Sequence, residues 1–99
     1  MILYNVTVKI ENNAHEDWLK WMKEVHIPDV LATGLFEEYK LCLILHDDPE
    51  GKTYAIQYFC KNMETFQRYQ QEFAPILQAE HQKRYNNKYV AFRTLMQVL

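Results

Sequence analysis

Residues 2–10 alternate strictly between two faces, with Ile2, Tyr4, Val6, Val8 and Ile10 on one and Leu3, Asn5, Thr7 and Lys9 on the other. That period of two belongs to a half-buried strand, so the first set must meet a core. The same alternation returns over Lys88 to Leu99, where Val90, Phe92, Thr94, Met96 and Val98 oppose Tyr89, Ala91, Arg93, Leu95 and Gln97. A chain that begins and ends on such strands needs helices or further strands between them to cover the buried side.

The intervening sequence supplies both. Asn13 followed by Glu16 resembles a capping box, and Ala14, Trp18, Trp21, Met22 and Val25 then recur at helical spacing, predicting an apolar stripe on a first helix. Glu16, Lys20 and Glu24 form its solvated flank. Pro28 should end or kink that helix at Ile27 and open a short turn closed by Gly34 in a left-handed conformation. Residues 35–46 are rich in Leu, Tyr, Phe and Ile, and Thr53 to Cys60 alternates again. Asp47-Asp48-Pro49-Glu50-Gly51-Lys52 between them is turn chemistry, so a hairpin is expected. Asn62 is placed to cap a second long helix carrying Phe66, Tyr69, Phe73, Ile76, Leu77 and His81. Pro75 should kink it near residues 72–74 or divide it in two. Asn86-Asn87 then turns the chain into the last strand.

The order β-α-β-β-α-β with right-handed crossovers specifies an α+β, ferredoxin-like domain over residues 1–99. Its four-stranded antiparallel sheet has spatial order 4-1-3-2, with two helices on one face. The other face is left bare, and the alternation assigns it Asn5, Thr7, Gln57, Phe59, Arg93 and Leu95. At this length there is room for one core, and folding buries roughly 60–65% of the unfolded chain's surface. Two glycines and three prolines leave little flexible linker. The start lacks a basic and apolar leader pattern and no segment reaches membrane-spanning length, so the expected setting is cytoplasmic, without a membrane partner. There Cys42 and Cys60 are expected as reduced small hydrophobes. A net charge of −2 gives no general attraction to nucleic acid.

Several segments resemble a bacterial family of unknown function assigned to the dimeric α/β-barrel superfamily. They are Tyr4-Asn5-Val6-Thr7-Val8, Trp18-Leu19-Lys20-Trp21-Met22, His26 through Gly34, Gln57-Tyr58-Phe59, Glu72-Phe73-Ala74-Pro75, Glu80-His81 and Ala91-Phe92-Arg93-Thr94-Leu95. The resemblance implies a ferredoxin-like protomer whose bare sheet face packs on a second copy and encloses a cavity. It implies no activity, because the wider superfamily spans cofactor-free monooxygenases, haem-degrading enzymes, muconolactone isomerase-like proteins and members without known chemistry.

Candidate ligand-binding residues follow from chemistry and from that cavity: Asn5, His26, Asp29, Gln57, Tyr58, Phe59, Phe73, His81 and Arg93. A strand arginine that faces a cavity must find a carboxylate or a ligand oxygen for its guanidinium fork. His26 and Asp29 flank Pro28, where a carboxylate near a helix start could orient a base, although capping explains the pair as well. Haem-degrading relatives use a strand Asn, a Trp and a His. Asn5 and His81 could stand for two of these, while Trp18 and Trp21 read as core. His46-Asp47-Asp48 is too compact a turn for a closed metal site, and no metal or cofactor is expected. Lys52 through Phe59 partly matches an RNA-binding strand, but Thr53 and Ile56 replace the glycine and a stacking aromatic. The reading is therefore a homodimeric barrel binding or transforming a small organic molecule. A non-catalytic dimeric interaction module is its alternative and a haem protein its minor one.

Overall fold

The computed structural model describes residues 1–99. Strand β1 (Ile2–Glu11) leads into α1 (Asn12–Trp21), a π-helical segment (Met22–His26) and α2 (Ile27–Ala32). Strands β2 (Glu38–Leu43) and β3 (Gly51–Cys60) form the hairpin, and α3 (Met63–Glu72), α4 (Ala74–Arg84) and β4 (Tyr89–Gln97) complete the chain. The sheet is antiparallel with order β2-β3-β1-β4, as the sequence predicted. β1 is central, paired along its length to β3 and β4, so its backbone groups are satisfied on both edges. Gly51, opposite Glu11, sits where a Cβ would collide with the Ile10 carbonyl oxygen.

Two local expectations change. Glu11 rather than Asn13 precedes α1, and no side chain caps it. The β2–β3 loop does that work instead: the Asn12 N–H donates to the Glu50 carbonyl (3.2 Å) and the Asn12 side chain to the Pro49 carbonyl (2.9 Å). At Pro28 the helix does not stop. Pro28 has no N–H to give the Glu24 carbonyl and its ring crowds that group, and the π segment widens the turn just before it, with Ile27 N–H donating to Met22 O. The wider turn shifts the helix phase. Val25, expected on the apolar stripe, is 41% exposed, while Met22, Ile27 and Val30 are buried. Gly34 closes the segment at φ +77°, as predicted.

The second helical region divides at Phe73, ahead of Pro75, into two helices in series. Asn62 caps α3 by accepting from the Thr65 N–H at 2.9 Å. Asn87 takes a left-handed turn, φ 63°, before β4. Cys60 is buried and Cys42 exposed, both free. No helix is long and apolar enough to cross a membrane.

The strand register corrects the assignment of faces. Val6 pairs with Arg93 and Tyr4 with Leu95, so Arg93 and Leu95 point to the helix side, together with Tyr89 and Ala91. The bare face carries Asn5, Thr7, Gln57 and Phe59 as expected, but its β4 residues are Val90, Phe92, Thr94 and Met96. In β4 the more apolar set faces away from the core, so hydrophobicity alone selects the wrong side.

On the helix side, Ile2, Tyr4, Val8, Ile10, Tyr54, Ile56, Tyr58 and Cys60 meet Trp18, Met22, Phe66, Tyr69 and Leu77. Tyr4, Phe36, Tyr58, Phe66 and Tyr69 form one aromatic cluster, with Tyr4–Phe66 centroids at 5.0 Å and Phe36–Tyr69 edge-on at 4.8 Å. Trp18 is fully buried against Tyr54. Trp18→Ala is expected to cost about 3–5 kcal/mol in urea melts, because the sheet cannot collapse into the space an indole leaves. A loss below about 1 kcal/mol would mean that α1 resettles freely on the sheet.

Candidate functional site

The site forms where the π segment, α4 and β4 converge on the helix side of the sheet. Widening at Met22–His26 turns His26 inward, where its ring stacks on Trp21 (centroids 5.0 Å, 29°) and stands edge-on to His81 (5.7 Å). His81 is one turn beyond Leu77 on α4 and is buried. Its Nε2 accepts from the Trp18 indole N–H at 2.9 Å, and Tyr89 of β4 meets the ring edge-on at 4.4 Å. An indole nitrogen only donates, so His81 must present a lone pair at Nε2 and be neutral. Burial pushes its pKa down to about 4, helped by the neighbouring His26, with which it cannot share a second proton cheaply, and by the charge of Arg93. His26 is also lowered to about 4, by burial first; Arg93 adds to this and Asp29 opposes it. The buried His26 Nδ1 has no hydrogen-bond partner.

Arg93 is the common charge of this region. It opposes the burial that raises the Tyr4 and Tyr69 hydroxyls, and it disfavours protonation of both histidines. Its guanidinium has no carboxylate at ion-pair distance, whereas Arg68 pairs with Glu72 (2.7 Å), Arg84 with Asp17 (3.5 Å) and Lys9 with Asp48 (2.6 Å). Arg93 and Gln78 stand together at the junction of three spaces. An inner cavity of about 40 Å³ reaches His26, His81 and Tyr58. One outer cleft of about 340 Å³ runs along Gln82, Asn86 and Tyr89, and another of about 260 Å³ runs along Tyr4, Phe66 and Tyr69.

Of the residues singled out in the sequence, His26, Tyr58, His81 and Arg93 are brought together here. Asn5, Gln57 and Phe59 are not: they share the bare face, where Asn5 Nδ2 donates to Thr7 Oγ1 (3.0 Å) and Lys40 lies over the Phe59 ring (5.9 Å). Asn5 and His81 are thus on opposite sides of the sheet. Phe73 sits at the α3–α4 break, outside the cavity lining, and Asp29 is exposed in the first turn of α2. Asp48, in the compact His46-Asp47-Asp48 turn, is held by Lys9. Sequence reasoning missed Gln78, Tyr4 and Tyr69, and it read Trp18 and Trp21 as core alone. The available signal for Gln78 was its spacing of three from His81, which puts both polar groups on one helical face.

The chain matches, from residue 1 to residue 99, the model of a family described as "Domain of unknown function (DUF4286)". No curated protein matches it. Its fold is similar to solved structures that cover almost all of it. HapK from Hahella chejuensis is 8% identical with TM-score 0.72, covering 100% of this chain and 93% of that one. SnoaB, a cofactor-independent oxygenase from Streptomyces nogalater, is 10% identical with TM-score 0.68, covering 99% and 93%. A variant of MhuD with two manganese protoporphyrin IX bound per active site is 16% identical with TM-score 0.69, covering 100% and 95%. At these identities the likeness establishes a shared ferredoxin-like fold and leaves the chemistry open.

Both imidazoles are neutral when folded and ordinary bases when unfolded, so between about pH 6.5 and pH 4 the unfolded chain binds more protons. Stability should be flat near pH 7 and fall by about 3 kcal/mol for each imidazole, about 6 kcal/mol together, as pH drops to 4. His81→Gln, which keeps an acceptor for Trp18, should roughly halve that slope in denaturant melts. An unchanged slope would mean that His81 does not titrate in this window.

Proposed function

The chain belongs to that family, the DUF4286 domains of unknown function, and from that premise we propose that it binds a small organic carboxylate where Arg93 meets the aromatic helix side. The observation that carries this reading is the Arg93 guanidinium, free of any protein carboxylate and shared by all three spaces. A guanidinium fork matches a carboxylate with two parallel hydrogen bonds. Tyr4, Tyr69 and Phe66 along one cleft offer ring faces to an apolar ligand body. The outer clefts, about 260 and 340 Å³, suit a molecule at the small end of the usual range. Neither Gly34 nor Gly51 belongs to a glycine-rich loop of the kind that cradles phosphates, so a carboxylate is preferred to a nucleotide.

A second copy of the chain completes this reading. Val90 (67% exposed), Phe92 (64%) and Met96 form an apolar band on the bare sheet face, and a self-complementary pairing through a two-fold axis would bury it. The non-catalytic interaction module needs the same dimer but leaves Arg93 without a role. A porphyrin, the minor alternative, would draw on His81 as an iron ligand, and its Nε2 would first have to release Trp18. The carboxylate reading requires no such rupture.

Two measurements check these statements. Benzoate should raise the melting temperature of the wild type, and Arg93→Gln should weaken its binding by about tenfold or more while the unliganded protein keeps its stability. Equal benzoate binding in both proteins overturns the role of Arg93. In sedimentation at micromolar concentration the wild type should run as a dimer and Phe92→Glu as a monomer. A monomeric wild type removes the second copy from the account.

A further inference from the structure

His26 stands apart from the other enclosed imidazoles. His81 Nε2 is occupied by Trp18, and His15 Nε2 lies 2.6 Å from the Tyr54 hydroxyl. The His26 Nδ1 atom is withdrawn from water and has no partner, although its ring lines the same inner cavity as Arg93. Leaving a buried polar nitrogen unpaired is unfavourable, and folded proteins rarely retain one without a use. Stacking on Trp21 and edge contact with His81 hold the ring where it is, so it does not turn away to find a partner.

The space beside it limits what can arrive. About 40 Å³ accommodates a group the size of a water molecule or a hydroxyl and excludes an aromatic ring, which must remain in the outer clefts past Arg93 and Gln78. We infer that His26 is the second anchor of the site, and that the ligand is a hydroxylated carboxylic acid: its carboxylate on Arg93, its body in an outer cleft and its hydroxyl in the inner cavity against His26. A hydroxyl is the group of choice because it both donates and accepts. It satisfies His26 whichever ring nitrogen carries the proton, which an ether, a carbonyl or an ammonium cannot do. Closing an otherwise unpaired buried group gives strong discrimination, since the analogue without the hydroxyl leaves the site unsatisfied.

The inference rests on the carboxylate reading above, and the experiment separates the two. Binding of benzoate and of 2-, 3- and 4-hydroxybenzoate is measured by calorimetry on the wild type, His26→Phe, His26→Gln and Arg93→Gln. At least one hydroxybenzoate should bind the wild type about tenfold or more tighter than benzoate. The advantage should vanish in His26→Phe and return in part in His26→Gln, whose amide can meet the hydroxyl, while benzoate itself binds all three alike. If benzoate and the hydroxybenzoates bind with equal affinity, and through Arg93, the second anchor is overturned and the carboxylate site stands. If no acid binds at all, the carboxylate reading falls and this inference with it. Should His26→Phe fail to fold, the wild-type ratio and His26→Gln decide the matter alone.

Discussion

The hydrogen bond from the Trp18 indole to His81 Nε2 joins residues 63 positions apart and ties α1 to α4 over the middle of the sheet. An indole N–H buried without an acceptor costs about 1–3 kcal/mol, and an imidazole lone pair left dry costs a comparable amount, so each helix is held to the place where the other completes it. The bond also fixes chemistry. It commits His81 to one tautomer and to the neutral state, and that neutral ring supplies the edge against which Tyr89 starts β4 and the wall on which His26 leans.

Arg93 tests how much charge such a surround tolerates. A guanidinium placed among the aromatic rings without a counter-ion would be very costly if desolvated. It stands instead at the cleft mouths, with its backbone in the sheet and its head group exposed to water, which is how long cationic side chains reconcile an apolar stem with a polar tip. The arrangement keeps a cation available at the boundary between a dry aromatic interior and solvent. From there its field reaches two phenols and two imidazoles.

Element order, sheet topology, the division at Pro75, the Asn62 cap and the left-handed Gly34 were all legible from period, capping and turn chemistry. The faces of β4 were not. Alternation says which residues share a side, but deciding which side is inward relies on hydrophobicity, and Val90, Phe92 and Met96 are apolar for the outer face while Arg93 sits on the inner one. The candidate site was legible in part for the same reason. His26, Tyr58, His81 and Arg93 were chosen from residue chemistry and do converge, whereas Asn5, Gln57 and Phe59 were joined to them through the mistaken side of Arg93. The partnership of Trp18 with His81 leaves no trace in local pattern, because it is created only when the two crossovers lay their helices side by side.

The π segment has a consequence for length. In an uninterrupted α-helix, the eight residues from Trp18 to His26 would carry the side chain about 80° past the tryptophan's direction. The wider turn at Met22–His26 absorbs part of that rotation, and the exposure of Val25 is its visible counterpart. The helix therefore behaves like a combination dial, in which one extra residue per turn has been spent to align His26 without disturbing Trp18. Removing one residue from 22–26 would close that turn to an ordinary α-helix and leave Ile27 and Val30 in nearly the same phase, but it would take away the room that the Pro28 ring needs and the placing of His26. The Asp47–Glu50 turn is tied down differently, through the Pro49 and Glu50 carbonyls that receive Asn12 and through Asp48 on Lys9, so it holds the start of that helix as the wider turn holds its end.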